Sequence, residues 1–97
     1  MEFPSPSSSQ FTIYSKSGCP NCTKAKNLLK EKNLNFNVVD CDDFLIEDKE
    51  NFLIFIQDIS GKEYRTFPMI FDNKKFIGGF TEMQKYLDTF LDFEMSF

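Results

Sequence analysis

The chain has 97 residues, a formal net charge of −4 and a hydrophobic content of 41%. This length is sufficient for one hydrophobic core, so we expect a single folded domain. The net negative charge argues against a protein that binds nucleic acid by general electrostatic attraction. No segment approaches the ~20 consecutive apolar residues that a membrane-spanning helix requires.

The first nine residues differ in composition from the rest of the chain. Residues 1–9 contain two prolines and four serines, which is typical of disordered segments. We therefore expect a disordered tail over 1–9 and a folded domain over 10–97. The segment also lacks the apolar stretch of a secretory signal peptide, and we expect a cytoplasmic protein in a reducing environment.

Two cysteines three positions apart, Cys19 and Cys22, lie between a predicted strand and a predicted helix. Residues 10–15 alternate apolar and polar side chains and are rich in β-branched and aromatic residues, which is typical of a strand. Apolar residues then recur at near-helical spacing over 25–34. Pro20 suits the first turn of this helix, so we expect Cys19 at the helix N-terminus.

The predicted position of Cys19 favours a reactive thiolate. The positive end of the helix dipole and the free backbone N–H groups stabilise a thiolate relative to a thiol. Lys16, three residues before Cys19, adds a positive charge nearby. Cys22, one turn further along, is expected to face the sheet. The sequence therefore predicts an exposed attacking sulfur on Cys19 and a sheltered sulfur on Cys22, as thiol–disulfide exchange requires.

Other interpretations of the cysteines agree less well with the sequence. A zinc site usually has four ligands, whereas the chain has no His and one further cysteine, Cys41. A purely structural Cys19–Cys22 disulfide would close a very small loop and would constrain the unfolded chain little. We expect Cys41 to behave as a small buried hydrophobe, with a redox-regulatory thiol or an intermolecular disulfide as the alternatives.

The rest of the pattern predicts further elements of an α/β domain. In chain order these are a strand over 35–40, a helix from Asp42 or Asp43 to about Asp58 that Gly61 ends, a hairpin of 66–71 with 75–77, and a last helix that Thr81 caps.

Three segments of the chain resemble the dithiol glutaredoxins. Residues 13–22 are similar to the family's active-site segment, which usually carries Cys-Pro-Tyr-Cys with a Lys three residues before the first Cys. Residues 66–71 and 78–82 resemble its Thr-Val-Pro and Gly-Gly-x-x-Asp segments, in the same order and at similar separations. The resemblance covers about residues 10–92. It implies a thioredoxin-like α/β fold, with a four-stranded mixed sheet flanked by three or more helices.

The resemblance implies a glutathione-dependent thiol–disulfide oxidoreductase whose redox-active disulfide serves electron transport. Cys19 would attack a protein disulfide or a glutathione mixed disulfide, and Cys22 or a second glutathione would release the product. Glutathione is the implied reductant, and neither a tightly bound cofactor nor a metal is implied. The implied partners are protein disulfides, among which ribonucleotide reductase is a common client of the family. Neither nucleic acid nor a membrane is implied.

The resemblance also implies where glutathione binds. The implied binding residues are Lys16, Phe67, Pro68, Gly79, Phe80, Thr81 and Glu82. A cis bond before Pro68 would let the Phe67 backbone pair with the tripeptide. The amides of Phe80 and Thr81 would receive the γ-glutamyl carboxylate, with Glu82 near the ammonium group. Lys16 would attract the glycyl carboxylate.

Departures from the family's pattern leave other functions open. Asn21 replaces the usual Tyr, Phe67 replaces Val, Glu82 replaces Asp, and residues 52–55 offer no recognised ligand for the glycyl carboxylate. One alternative is a redoxin that a dedicated flavoprotein reductase reduces. Another, from a different class, is an iron–sulfur cluster-binding or scaffold module. Pro20 argues against the cluster, because cluster-binding relatives usually have Gly at that position.

Overall fold

Among the residues that the structure describes, four strands form one mixed sheet: β1 (Phe11–Ser15), β2 (Phe36–Asp40), β3 (Met69–Asp72) and β4 (Lys75–Gly78). The computed structural model describes the backbone of residues 2–95 and the side chains of residues 2–89. The strand order is β2-β1-β3-β4. β2 is parallel to β1, and β3 is antiparallel to both β1 and β4. The predicted four-stranded mixed sheet is confirmed.

In the part of the chain that the structure describes, four helices flank this sheet: α1 (Pro20–Glu31), α2 (Asp42–Glu47), α3 (Lys49–Ser60) and α4 (Phe80–Met95). α1 connects the parallel strands β1 and β2, because parallel neighbours need a crossover of this kind. Gly61 ends α3 with a left-handed φ of 81°, a conformation that costs glycine little. Within the described part of the chain, no helix combines the length and apolar character needed to cross a bilayer.

The sheet separates two hydrophobic cores, since successive side chains of a strand point to opposite faces. The first core lies between the sheet and helices α1 and α4; its buried residues are Phe11, Ile13, Ala25, Leu29, Ile70, Met83 and Leu87. The second core lies between the sheet and helices α2 and α3; its buried residues are Tyr14, Cys41, Phe52, Ile56, Met69 and Phe71.

The helix that we predict from Asp42 or Asp43 to about Asp58 is two helices in the structure. Asp48 interrupts the helix with backbone angles of φ −154° and ψ 48°. The interruption lets Phe44 of α2 and Phe52 of α3 pack together, with ring centroids 5.6 Å apart. The Asp42 side chain does not cap α2. It accepts hydrogen bonds from Ser17, in the loop between β1 and α1.

Residues 2–9 pack on the domain, which differs from the disordered tail that their composition suggests. The ring of Phe3 lies 5.0, 5.5 and 5.4 Å from three aromatic rings of the second core, measured between centroids. The Tyr14 hydroxyl donates a hydrogen bond of 2.6 Å to the carbonyl of Pro4, and Pro6 is buried. One aromatic side chain therefore gives the segment a binding site on the domain that its polar composition does not reveal.

We expect Phe3→Ala to destabilise the protein by about 1.5–2.5 kcal/mol, half the cost of truncating a fully buried Phe, because Phe3 is half-buried. Urea unfolding measures this change. Ser8→Ala is the matched control, since Ser8 is an exposed residue of the same segment. Equal unfolding free energies for the two variants would mean that the segment is detached in solution.

Candidate active site

Cys19 and Cys22 form a disulfide at the start of α1, with their Cα atoms 5.3 Å apart. Cys19 is the N-cap residue with extended backbone, and Pro20 occupies the first helical turn, as the sequence predicts. The amide of Cys22 donates a hydrogen bond of 3.1 Å to the sulfur of Cys19. The same amide also donates a hydrogen bond of 3.1 Å to the carbonyl of Cys19. Because it lies in the first turn of α1, at the positive end of the helix dipole, it stabilises negative charge on that sulfur once the disulfide is reduced.

The two cysteines differ in exposure. Cys22 is 1% exposed, because it lies on the buried side of α1 with Ala25 and Leu29. Cys19 is only half-buried. This placement agrees with the predicted division between an accessible sulfur and a sheltered one.

A cavity of about 550 Å³, here called the Cys19 groove, opens beside Cys19. Its charged lining residues, among the residues that the structure describes, are Lys16, Lys49 and Arg65. Its apolar lining includes Leu45, Leu53 and Phe67. A groove with cationic and apolar walls next to a sulfur suits an anionic ligand that carries a thiol or a disulfide.

The Phe67 ring, which forms one wall of the Cys19 groove, contacts other side chains on both of its sides. The Lys16 ammonium lies 5.7 Å from the centroid of the Phe67 ring, close enough for a cation–π interaction. On its other side the ring stacks on Phe52 of the second core, with centroids 6.3 Å apart and an interplanar angle of 4°. The Phe67–Pro68 peptide bond is cis, as the resemblance implies.

The start of α4 lies beside Pro68. A Cβ added to Gly79 would lie 3.6 Å from the carbonyl oxygen of Pro68 and 3.0 Å from the hydroxyl of Tyr64. A larger residue at position 79 would therefore crowd the Tyr64 hydroxyl, whereas its distance to the Pro68 oxygen would be an ordinary contact. Phe80 is half-buried and Thr81 is exposed in the first turn of α4. The helix begins at Phe80, one residue before the cap that we predict at Thr81.

The carboxylate of Glu82 faces its own helix terminus. Its Oε1 accepts a hydrogen bond of 2.8 Å from the amide of Gly79, an arrangement like that of a capping box. The structure does not place residues 79–82 among the described residues that line the Cys19 groove. Of the predicted site, it thus brings Lys16, Cys19 and Phe67 into one cavity and leaves the α4 start next to it.

The chain is similar to proteins of one known family. The glutaredoxin family model matches residues 11–77. Mitochondrial glutaredoxin-2 of Bos taurus is 40% identical over 73 residues, 75% of this chain and 44% of the bovine protein. The chain belongs to the glutaredoxin family. Members of this family are thiol–disulfide oxidoreductases.

Solved structures of glutaredoxins have the same fold. Glutaredoxin 1 from Francisella tularensis superposes with a TM-score of 0.73 at 31% identity, covering 84% of this chain and 95% of that chain. A buckwheat glutaredoxin–glutathione complex superposes with a TM-score of 0.66 at 25% identity, covering 82% of this chain and 70% of that chain. By contrast, this chain spans less than half of the bovine relative's length.

Sequence reasoning missed the Lys49 and Arg65 cations of the Cys19 groove. Arg65 directly precedes the Thr66-Phe67-Pro68 segment, so adjacency to a recognised motif was an available signal. Its side chain also forms an exposed ion pair with Glu63, with the nitrogen and oxygen 3.0 Å apart. Lys49 gave no such signal, because its position depends on the unpredicted start of a new helix after α2.

Cys41 is a free, fully buried cysteine of the second core. Burial raises the pKa of its thiol to about 12, and the nearby carboxylates of Asp40 and Asp42 act in the same direction. The thiol therefore stays protonated near neutral pH, where a thiolate would be needed for attack on a disulfide. This agrees with the expectation of a small buried hydrophobe.

Proposed function

We propose that the protein is a dithiol glutaredoxin that reduces protein disulfides and glutathione mixed disulfides, with glutathione as the reductant. The observation that carries the proposal is the sulfur of Cys19 at a helix N-terminus, bonded by the Cys22 amide and open to a cationic groove. We propose a reducing compartment such as the cytosol, where the disulfide can return to the dithiol form. Ribonucleotide reductase is one protein substrate that fits this proposal.

The proposed reaction begins with the Cys19 thiolate. It attacks one sulfur of a substrate disulfide, so that a Cys19–substrate disulfide forms and the other substrate sulfur leaves as a thiolate. On a protein disulfide, Cys22 then loses its proton and attacks the Cys19 sulfur. This releases the reduced substrate and forms the Cys19–Cys22 disulfide. Two glutathione molecules reduce that disulfide and leave as oxidised glutathione.

The charge of the Cys19 groove supports glutathione as the reductant. Near neutral pH glutathione carries two carboxylates and one ammonium group, so it is a net anion. We propose that Lys16, with Lys49 and Arg65, attracts the glycyl carboxylate. This would compensate for Leu53, an apolar residue in the region where the family often has a polar ligand. The buckwheat neighbour, solved as a glutathione complex, supports the same ligand class.

The start of α4 is the proposed site of the γ-glutamyl end of glutathione. Gly79 lies beside Pro68, and the backbone of Phe67 is the proposed pairing partner of the cysteinyl residue. The amides of Phe80 and Thr81 would receive the γ-glutamyl carboxylate. Glu82 would then contact the ammonium group while it keeps its bond to the Gly79 amide.

We expect Lys16→Ala and Lys49→Ala each to raise the KM for glutathione about three- to tenfold, because a partly exposed charge contact is worth roughly 0.5–1.5 kcal/mol. Steady-state turnover of a small mixed disulfide, coupled to glutathione reductase, measures this. Lys74→Ala is the control, since Lys74 is exposed in the β3–β4 turn. A wild type that glutathione cannot reduce would reject the proposal in favour of a redoxin with a flavoprotein reductase.

We expect Cys22→Ser to keep most of its turnover of a glutathionylated peptide, because a second glutathione can replace Cys22 in releasing the product. The same variant should lose turnover of a protein with an intramolecular disulfide, where release depends on Cys22. Cys19→Ser should lose both activities. The assay compares the three proteins on both substrates, and an equal loss for Cys22→Ser on both would contradict the proposed roles.

A further inference from the structure

The loop between β1 and α1 carries both Lys16 and Cys19, and a residue of α2 holds it in place. The Ser17 amide donates a hydrogen bond of 2.9 Å to Oδ1 of Asp42. The Ser17 hydroxyl donates to Oδ2 of the same carboxylate. Both oxygens of Asp42 are thus bonded to one residue, 25 positions earlier in the chain. Two bonds fix the orientation of Ser17 as well as its position.

A second contact joins the same two parts of the chain. The amide of Cys41, the residue before α2, donates a hydrogen bond of 2.8 Å to the carbonyl of Ser15 at the end of β1. The start of α2 therefore contacts the loop on both sides of Lys16. Lys16 in turn lies over the Phe67 ring at the edge of the Cys19 groove.

The loop needs an anchor at this point because a flexible residue follows. Gly18 has a left-handed φ of 66°, and a Cβ there would meet nothing within 4 Å. Gly18 has no side chain that could pack, and glycine has more accessible backbone conformations than any other residue. The bonds from Ser17 to Asp42 limit the conformations from which Gly18 can present Cys19.

We propose that Asp42 is a positioning residue for thiol–disulfide exchange, since its carboxylate fixes through Ser17 the loop that presents Lys16 and Cys19. The inference rests on the proposed function, in which Cys19 is the attacking sulfur. Asp42 acts through Ser17, and it is not proposed to touch the substrate.

The negative charge of Asp42 and its positioning of the loop have opposite effects on the reactivity of Cys19. The two hydrogen bonds from Ser17, and then the charge of Lys16, hold the pKa of the Asp42 carboxyl below its usual range, so it is ionised at neutral pH. A nearby negative charge disfavours a Cys19 thiolate. Among the described residues, Lys26 of α1 and Asp40 of β2 line a cavity with Ser17, and Lys49 and Arg65 line the Cys19 groove with Lys16 and Gly18. Positioning and charge can therefore be separated by substitution.

The test compares Asp42→Ala, Asp42→Asn and the control Asp43→Ala, since Asp43 is the exposed next residue of α2. An Asn can keep both contacts, its carbonyl accepting from the Ser17 amide and its NH₂ donating to the Ser17 hydroxyl. It therefore removes only the charge. The measurement is the rate of iodoacetamide alkylation of Cys19 in the reduced protein against pH, together with kcat/KM on a mixed disulfide.

We expect Asp42→Ala to lower the pH-independent alkylation rate and kcat/KM by about three- to tenfold, because misplacing a reacting group slows its reaction. Asp42→Asn should stay within about twofold of wild type, with a Cys19 pKa that is equal or lower. Ser17→Ala keeps the hydrogen bond from the backbone amide of residue 17 to Asp42 and should show an intermediate loss of alkylation rate and kcat/KM. This variant also tests the inference if Asp42→Ala does not fold.

Two outcomes would overturn the inference while the proposed function stands. One is an Asp42→Ala variant that matches Asp43→Ala in both measurements. The other is an Asp42→Asn variant as slow as Asp42→Ala, since hydrogen bonding would then not explain the effect. A wild-type Cys19 that reacts with the pH profile of an ordinary free thiol, near ~8.5, would instead reject the proposed function itself.

Discussion

The hydrogen bond from the Cys22 amide to the Cys19 sulfur is the interaction on which the chemistry of the site depends. It exists because Cys19 ends the loop after β1 and is the N-cap of α1, so that its sulfur accepts from an amide of the first helical turn. α1 is held on the sheet by Ala25 and Leu29, both fully buried. The parallel pairing of β1 with β2 requires a crossover helix of this kind. The fold thus places the start of one helix, and with it a sulfur, beyond the carboxyl end of the interior strand β1.

The second core supports one wall of the Cys19 groove. Phe67 forms one wall of the groove and stacks on Phe52, which also contacts Phe3 of the N-terminal segment. A chain of aromatic contacts therefore connects Phe3 to the wall of the Cys19 groove. Such rings keep specific distances and angles because their quadrupoles favour edge-to-face and offset packing. Leu45 and Leu53, which also line the groove, come from the same two helices that cover this core.

The local parts of the site could be predicted from the sequence, whereas the parts made by tertiary packing could not. Cys19 and Pro20 stand next to a helical pattern, so their place at a helix start follows from short-range spacing. Lys49 enters the groove because the helix is interrupted at Asp48, and no pattern of helical spacing marks that break. Phe3 is one aromatic residue in a segment of prolines and serines. Its packing depends on a pocket formed by distant residues, which composition does not report.

The ionisation of Cys19 in the reduced protein is the measurement that tests the account most directly. The thiolate absorbs in the far ultraviolet more strongly than the thiol, so a pH titration of wild type minus Cys19→Ser isolates this residue. The account predicts a midpoint well below the ~8.5 of a free thiol, because the helix N-terminus and its amide stabilise the thiolate. A midpoint at or above ~8.5 would contradict the central claim that the start of α1 activates this sulfur.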